Sequence, residues 1–405
     1  MQGSVPRAPD WSRKLRTVGV TGTNGKTSTT TWVAAALRTI ARPVARATTT
    51  GYYVDDEELT PPKDYQGFLA VMRACIERGG KLAAVELTSE ALARGFAVAW
   101  PCEVGVFTNL THDHIDTHGS AEHYLASKAQ LFVNLPSTGT AVLNACDSAC
   151  DLLAAVIPRG VRVWRYGLAS RGERSGILDL RATAIHLDWE GTRVALAAGE
   201  RLPAMPRELR VRAMGDIYAE NAMAALLGAV AAGADPALAA QAIADAPPPA
   251  GRFEVVHRKP YVVVDYAHSP DALARTLASA RAVCKGKVAV VFGAGGKRDK
   301  TKRVPMGEAA RVADVVILTT DNARDEDPAE IARAVALGLE GHPSVTLELD
   351  RQKAIERAIA QASAEDVVLI CGKGHETEQV VGVSARAFSD AEMARAALAS
   401  RERAP

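Results

Sequence analysis

Two groups of residues in this chain have the types and spacing for chemistry. The first is Val18-Gly-Val-Thr-Gly-Thr-Asn-Gly-Lys-Thr-Ser-Thr30, where a β-prone run enters a glycine-bearing turn and Gly25-Lys26-Thr27 open a helical stretch. Phosphate oxygens need converging N–H donors, and a turn followed by a helix N-terminus supplies them. In that setting Lys26 suits β/γ-phosphate charge, the Thr27 hydroxyl suits Mg²⁺, and Thr23, Asn24, Gly25 and Ser28 complete the loop. The strict spacing GxxxxGK[ST] fails once, because Val20 stands at its first glycine, flanked by Gly19 and Gly22. The rival reading, a glycine-rich β–α turn with an incidental lysine, is disfavoured by this strand–turn–helix setting.

The second group follows two more apolar runs. Glu86 closes one of them, in Ala84-Val-Glu-Leu-Thr-Ser-Glu90, and the other leads into Asn109-Leu-Thr-His-Asp-His-Ile-Asp-Thr-His-Gly119, which crowds three histidines and two aspartates. Ligands bind at the C-terminal ends of parallel strands in such sheets. These residues fit a polar surface loop, a zinc site or a magnesium site, and the neighbouring phosphate loop favours Mg²⁺. Lys128, in Ala126-Ser-Lys-Ala-Gln-Leu-Phe, reads by itself as a solvated helix lysine.

The elements that must position these groups are short β-rich runs alternating with longer Ala/Leu/Arg-rich helical stretches. That alternation predicts an α/β fold with a mostly parallel, doubly wound sheet. The spacing predicts strands over 17–21, 82–87 and 103–108 and a helix over 26–41. Residues 161–212 alternate as strands between charged turns, which predicts a small antiparallel insert. Asp245-Ala-Pro-Pro-Pro-Ala-Gly251 cannot continue a helix and marks a boundary. Beyond it the alternation restarts as a second, Rossmann-like α/β domain, so residues 1–248 and 249–405 are expected to be separate domains.

Composition narrows the class. The 405 residues carry 48 Lys+Arg against 47 Asp+Glu, a net charge of +1, with 48% hydrophobic residues. Bulk attraction to nucleic acid or a membrane surface is not expected at that balance. The apolar run from Ala222 to Ala234 is too short to span a bilayer, and the N-terminus has no apolar signal region. Six scattered cysteines without a CxxC argue against a disulfide framework or zinc ribbon and fit the cytoplasm.

The ordered set of motifs resembles the Mur ligases, which build the peptide of bacterial peptidoglycan, and within them the members that add the third amino acid. Besides the phosphate loop the resemblance rests on Glu86-Leu-Thr-Ser, the Phe107–Gly119 run, Lys128-Ala-Gln-Leu-Phe, Asn144-Ala-Cys-Asp, Gly251-Arg-Phe-Glu, Val264-Asp-Tyr-Ala-His-Ser-Pro-Asp, Phe292-Gly-Ala-Gly-Gly-Lys-Arg-Asp, Asp321-Asn-Ala-Arg and Gly372-Lys-Gly-His-Glu. It spans about residues 17–398. It implies an ATP-dependent amide-forming ligase that works through an acyl phosphate, with small-molecule carboxylate and amino-acid substrates, as a monomer or simple homo-oligomer. Thr27, Glu86, His114 and a carbamylated Lys128 would hold Mg²⁺, two ions in all. Lys26, Glu86, His114 and Lys128 would be catalytic. Asn109, Asn221, Arg252, Asp265 and His268 would join the phosphate loop around ATP. Arg298, Asp321, Asn322, Arg324, Gly372 and Glu376 would form the amino-acid pocket, since arginine grips carboxylate and an acid holds ammonium. In the family Asp-Asn-Pro-Arg marks diaminopimelate enzymes; here Ala323 replaces the proline and Arg324 remains, so a diaminopimelate-like amine is expected.

The chain departs from the family in three places. Eighteen residues precede Gly19, too few for the family's UDP-gripping domain, so a changed carboxylate donor is expected. Glu90 stands where a histidine is usual and would repel an anionic donor. Tyr218 stands where an asparagine is usual. A folylpolyglutamate-synthase-like ligase, an accessory ligase-like subunit and a plain phosphate-loop nucleotidase are the rival expectations. Gly-Lys-Thr-Ser in place of Gly-Lys-Gly-Ser, the missing four-cysteine ribbon and the motifs of the second half respectively weigh against them.

Overall fold

The computed structural model describes residues 5–111, 120–169 and 178–403. Two large sheets organise them. The first is built from β1 (Arg16–Thr21), β2 (Val44–Ala47), β3 (Tyr52–Val54), β4 (Glu57–Leu59), β5 (Leu82–Glu86) and β6 (Val104–Phe107). It continues through β7 (Thr140–Asn144), β8 (Arg162–Leu168), β9 (Leu180–Asp188), β10 (Gly191–Ala198) and β11 (Glu208–Val211). The strand order is β11-β10-β9-β8-β7-β6-β1-β5-β2-β3-β4. From β2 to β9 every neighbouring pair is parallel. The central strands are buried on both faces, which is why they read as continuous apolar runs.

The stretch expected to form a small antiparallel insert does pair antiparallel, β9 with β10 and β10 with β11. It is not detached, because β8 pairs parallel with β7 and with β9 and so extends the main sheet. The opposite edge holds a β2–β3–β4 meander with no counterpart in the sequence reading. Its strands are three or four residues long, too short to show periodicity.

The Lys26–Leu37 helix ends four residues before the predicted limit. Its neighbour, Asp216–Ala231, is buried on nearly all sides, from Tyr218 to Val230. Alanine-rich faces let these two helices pack closely over β1 and β6. That contact fixes the start of the first helix, and with it the glycine turn before Lys26.

The second sheet consists of β12 (Glu254–Arg258), β13 (Tyr261–Asp265), β14 (Val288–Phe292), β15 (Val315–Leu318), β16 (Val345–Leu347) and β17 (Val367–Cys371). Its order is β12-β13-β17-β14-β15-β16, parallel except for β12 against β13. The end of β17 is anchored from beneath. Arg351 donates to Cys371 O at 3.0 Å and grips Asp390 through two bonds of 2.7 Å, with both side chains fully buried. A hairpin of β18 (Glu378–Val381) and β19 (Ser384–Ala387) follows. The two sheets meet through the β9–β10 and β12–β13 turns, where Trp189 stacks on Tyr261 at 3.5 Å and Arg258 pairs with Glu190 at 2.7 Å.

Candidate active site

The C-terminal ends of β1, β5, β13, β14, β15 and β17 open onto one cleft of about 330 Å³ between the sheets. Its first wall is the turn after β1, the stretch expected to be a phosphate loop, with Thr23, Asn24, Gly25, Lys26 and Thr27 on the cleft. Val20 is still in β1, paired with Glu86 and Val106 and fully buried. The turn begins after Thr21, so the position that breaks the strict motif is ordinary strand and needs no glycine. Gly25 has φ 84°, and a Cβ there would lie 2.1 Å from Asn221 Oδ1. Only glycine fits that approach. No side chain caps the helix that follows, and Gly25, Lys26 and Thr27 line the cleft.

Asn109 braces the loop. Its Oδ1 accepts from Asn24 N at 2.8 Å and its Nδ2 donates to Asn24 O at 3.1 Å. Lys26 Nζ lies along the turn, donating to Gly22 O at 3.0 Å and Thr23 O at 2.8 Å.

Thr27 and Glu86 come together. Thr27 Oγ1 donates to Glu86 Oε2 at 2.9 Å, and Thr49 donates to the same carboxylate through its N–H at 3.2 Å and its hydroxyl at 3.2 Å. Hydroxyl and carboxylate oxygens meeting at a cleft are a donor set that fits a hard cation such as Mg²⁺. Among the described residues no group of three or more His, Cys, Asp or Glu could hold a metal. His114 lies outside the described residues.

Lys128 corrects the solvated reading. It is 1% exposed, because the Ala121–Val133 helix turns that face onto the phosphate loop. Its Nζ donates to Gly22 O at 2.7 Å and sits 4.2 Å from the centroid of the Tyr124 ring. Tyr124 in turn donates to Thr23 Oγ1 at 3.1 Å.

The second wall belongs to the other sheet. Arg252 and His268 line it, with Arg252 stacked over Tyr266 at 4.3 Å and its Nε buried without a partner. Deeper in stand Arg298, Asp321, Asn322, Arg324, Gly372 and Glu376. Asn322 Nδ2 donates to Glu376 Oε2 at 2.8 Å, and Lys373 Nζ reaches Asn322 Oδ1 at 3.1 Å and Glu376 at 2.9 Å. Arg324 is held in a left-handed conformation, φ 51°, donating to Gly296 O at 2.7 Å. Gly372, at φ 116°, lets Asp321 approach to where a Cβ would be 2.5 Å from Oδ2. Guanidinium, carboxylate and amide groups so interleaved suit a molecule with both ammonium and carboxylate groups.

Four expected ATP contacts are not on the cleft surface. Ser28 is buried within its helix, and Asn109 serves the loop from behind. Asn221 lies under Gly25 with Oδ1 buried and unpartnered, an acceptor aimed at the loop. Asp265 is saturated by Tyr218 Oη at 3.1 Å, Phe253 N at 2.7 Å, Ala267 N at 2.9 Å and Thr276 Oγ1 at 3.2 Å. It clamps the two halves rather than facing a ligand. Burial, followed by the Asp265 charge, pushes the Tyr218 phenol well above its usual range and keeps it a donor.

The sequence reading missed Thr49, Tyr124, Tyr266, Lys302 and His375 as wall residues. Tyr266 and His375 stood inside quoted motifs; Thr49, in a threonine turn, had no signal. Burial, and then the nearby cations Arg252 and Lys63, pull the His375 imidazole down to about 4. Its Nδ1 is buried without a partner.

A glycine-turn α/β wall faces a wall of interleaved guanidinium, carboxylate and amide groups across one cleft, the arrangement expected of an enzyme with more than one polar substrate. Residues 20–229 match the Mur ligase middle domain and residues 251–374 the glutamate ligase domain of the Mur ligases. The chain is 38% identical to the UDP-N-acetylmuramoyl-L-alanyl-D-glutamate–2,6-diaminopimelate ligase of Synechococcus elongatus, over 97% of this chain and 78% of that one. It is 35% identical to the ligase of the same name from Aquifex aeolicus, over 94% and 77%. A solved structure under that name superposes with a TM-score of 0.66 at 31% identity, covering 96% of this chain and 79% of the other. The folylpolyglutamate synthase of Mycobacterium tuberculosis, solved with ADP and AMPPCP, shares the fold at a TM-score of 0.72 and 19% identity, over 97% and 92% of the two chains. The chain belongs to the Mur ligase family and is a ligase.

Proposed function

We propose that the chain joins a carboxylate to a diaminopimelate-like amino acid, converting ATP to ADP and phosphate. The observation that carries this reading is the single cleft, with Lys26, Thr27 and Glu86 on one wall and Arg298, Asn322 and Arg324 on the other. The names of the 35–38% identical relatives support it: they specify a glutamate-ended muramoyl dipeptide as donor and 2,6-diaminopimelate as amine.

A carboxylate is a poor acylating agent. Its oxygen attacks the γ-phosphorus, ADP leaves, and an acyl phosphate forms. The amine nitrogen then attacks the acyl carbon, phosphate leaves, and the nitrogen loses a proton as the amide forms. Lys26 and the N–H groups of the uncapped helix start offset charge on the transferring phosphoryl group. Arg252, stacked on Tyr266, presents a second cation to it. Thr27, Glu86, His114 and Lys128, the last as a carbamate, would hold Mg²⁺, in a two-ion arrangement. The metal would neutralise phosphate charge and polarise the reacting oxygens. Carbamylation would turn a buried cation at the cleft into an anionic oxygen ligand, and it would give up the amine's contacts with Gly22 O and the Tyr124 ring. Arg324 and Arg298 grip the carboxylates of the amine substrate, and Asp321 and Glu376 hold its second ammonium, so that the reacting nitrogen is aligned. Six free cysteines fit work in the cytoplasm. Among the described residues no helix is long and apolar enough to cross a membrane.

The test is phosphate release with ATP, diaminopimelate or lysine, and either the UDP-linked muramoyl dipeptide or free carboxylates. Release that requires both acid and amine, and is abolished in Lys26→Ala and Lys128→Ala, is expected. Turnover that ignores the amine would overturn the reading.

A further inference from the structure

The chemistry above gives no task to a buried charge cluster behind the cleft. Arg275, on the Pro270–Val283 helix beside the second sheet, has a side chain 11% exposed, and Glu220, on the Asp216–Ala231 helix beside the first, is 2% exposed. Arg275 donates to Glu220 Oε1 at 3.2 Å and Oε2 at 3.5 Å, and to Asp216 Oδ1 at 3.0 Å. Burying these ions is costly in itself. Burial lowers the proton affinity of Arg275, but Glu220 and Asp216 more than reverse that.

Glu220 also faces the other way. Its Oε2 accepts from Asn144 Nδ2 at 3.2 Å, and the same amide donates to Thr108 O at 2.7 Å. Thr108 Oγ1 then donates to Asn24 O at 2.6 Å, in the phosphate loop. An unbroken series of polar contacts thus runs from a helix of the second sheet to the loop. Arg275, Glu220, Asn144 and Thr108 are all absent from the cleft lining.

We propose that Arg275 and Glu220 are positioning residues whose ion pair, relayed by Asn144 and Thr108, ties the seating of the second sheet to the shape of the phosphate loop at Asn24. The proposal rests on the phosphate-loop reading of Lys26. It makes nucleotide affinity depend on residues that touch no nucleotide.

A double-mutant cycle on the full chain, read by calorimetric titration with Mg²⁺ and AMPPNP, tests it. Glu220→Gln and Arg275→Met should each weaken binding about 5- to 20-fold, and the double variant should bind no worse than the weaker single. Arg275→Lys keeps the charge but loses the fork, so it should recover part of the loss. Asp216→Asn removes the half-exposed partner outside the relay. It should lower the melting temperature while nucleotide affinity stays within about twofold. Should Arg275→Met fail to fold, Arg275→Lys takes its place in the cycle with the same non-additivity expected. Single variants that melt earlier yet bind like wild type, or losses that simply add, overturn the proposal. An equal loss in Asp216→Asn does so too. A wild-type chain that binds no nucleotide would instead overturn the phosphate-loop reading, and this proposal with it.

Discussion

Thr27 and Glu86, 59 positions apart in sequence, share a 2.9 Å hydrogen bond at the mouth of the cleft. Parallel pairing of β1 with β5 places them together, because Val20 sits opposite Glu86 and the loop after β1 brings Thr27 back over that strand end. Glu86→Gln keeps the hydrogen bonds but removes the charge a divalent cation needs. We expect a kcat about 10²- to 10³-fold lower and a raised Mg²⁺ requirement, with the melting temperature unchanged. A magnesium titration of steady-state rates checks this; an unaltered half-saturating Mg²⁺ concentration would refute it.

Lys128 is as buried as any core residue, yet its amine borders the cleft. If the working form is the carbamate, activity depends on dissolved CO₂. Protein dialysed under CO₂-free gas at mildly acidic pH should lose most of its rate, and bicarbonate should restore it. Lys128→Ala should be inactive and indifferent to bicarbonate. A wild-type rate independent of bicarbonate after such dialysis counts against the modification.

The sequence made some of this legible and hid the rest for physical reasons. The strand, glycine turn and helix over 16–37 and the two α/β halves are encoded locally, in apolar runs and glycine turns. Lys128 was not legible from its own surroundings, because its burial is set by the turn after β1, where Gly22 O accepts from it across the fold. Asp265 is a second case: the resemblance implies a place beside ATP, whereas four donors, two of them well separated in sequence, take up both its oxygens. The short β2–β4 meander and the β18–β19 hairpin owe their strands to pairing, not to periodicity.

The Arg351–Asp390 pair supports Gly372 from beneath the second wall, since Arg351 also holds Cys371 O. Asp390→Ala strands a fully buried guanidinium. The cost should be about 3–5 kcal/mol in urea unfolding, whereas Asp390→Glu should cost less. A loss under about 1 kcal/mol in Asp390→Ala would show that the pair is not needed to keep the wall in place.

His375 gives the fold an acid-side weakness. Its pKa is held at about 4 in the folded chain against 6.5 unfolded. Above 6.5 both states are neutral there and the group contributes no slope. As pH falls from 6.5 to 4 the unfolded chain gains the proton first, so stability drops, by roughly 2–3 kcal/mol in total. His375→Gln should lack this slope. Urea midpoints of the two proteins measured from pH 7.5 to 4 should converge or cross as the pH falls, and parallel curves would contradict the assignment.

Glu90 bears on which donor the cleft accepts. Its side chain is 57% exposed on the cleft wall, near the strand end that carries Glu86, and its ion pair with Arg94 is stretched to 4.0 Å. A contact so long and so exposed is a weak pair, so Glu90 keeps its negative charge facing the cleft. An anionic donor such as the UDP-linked muramoyl dipeptide is repelled by that one carboxylate, whatever the cations of the cleft contribute. Glu90→Gln should therefore lower the KM for this donor about 3- to 10-fold with kcat little changed, and the gain should shrink as salt rises. Arg94→Ala should do the reverse, because Arg94, which caps the short Ser89–Ala93 helix, is the partial counter-charge paired with Glu90. If Glu90→Gln raised the donor KM instead, the cleft would be selecting a donor with a positive group beside its carboxylate, and repulsion by Glu90 would be the wrong account.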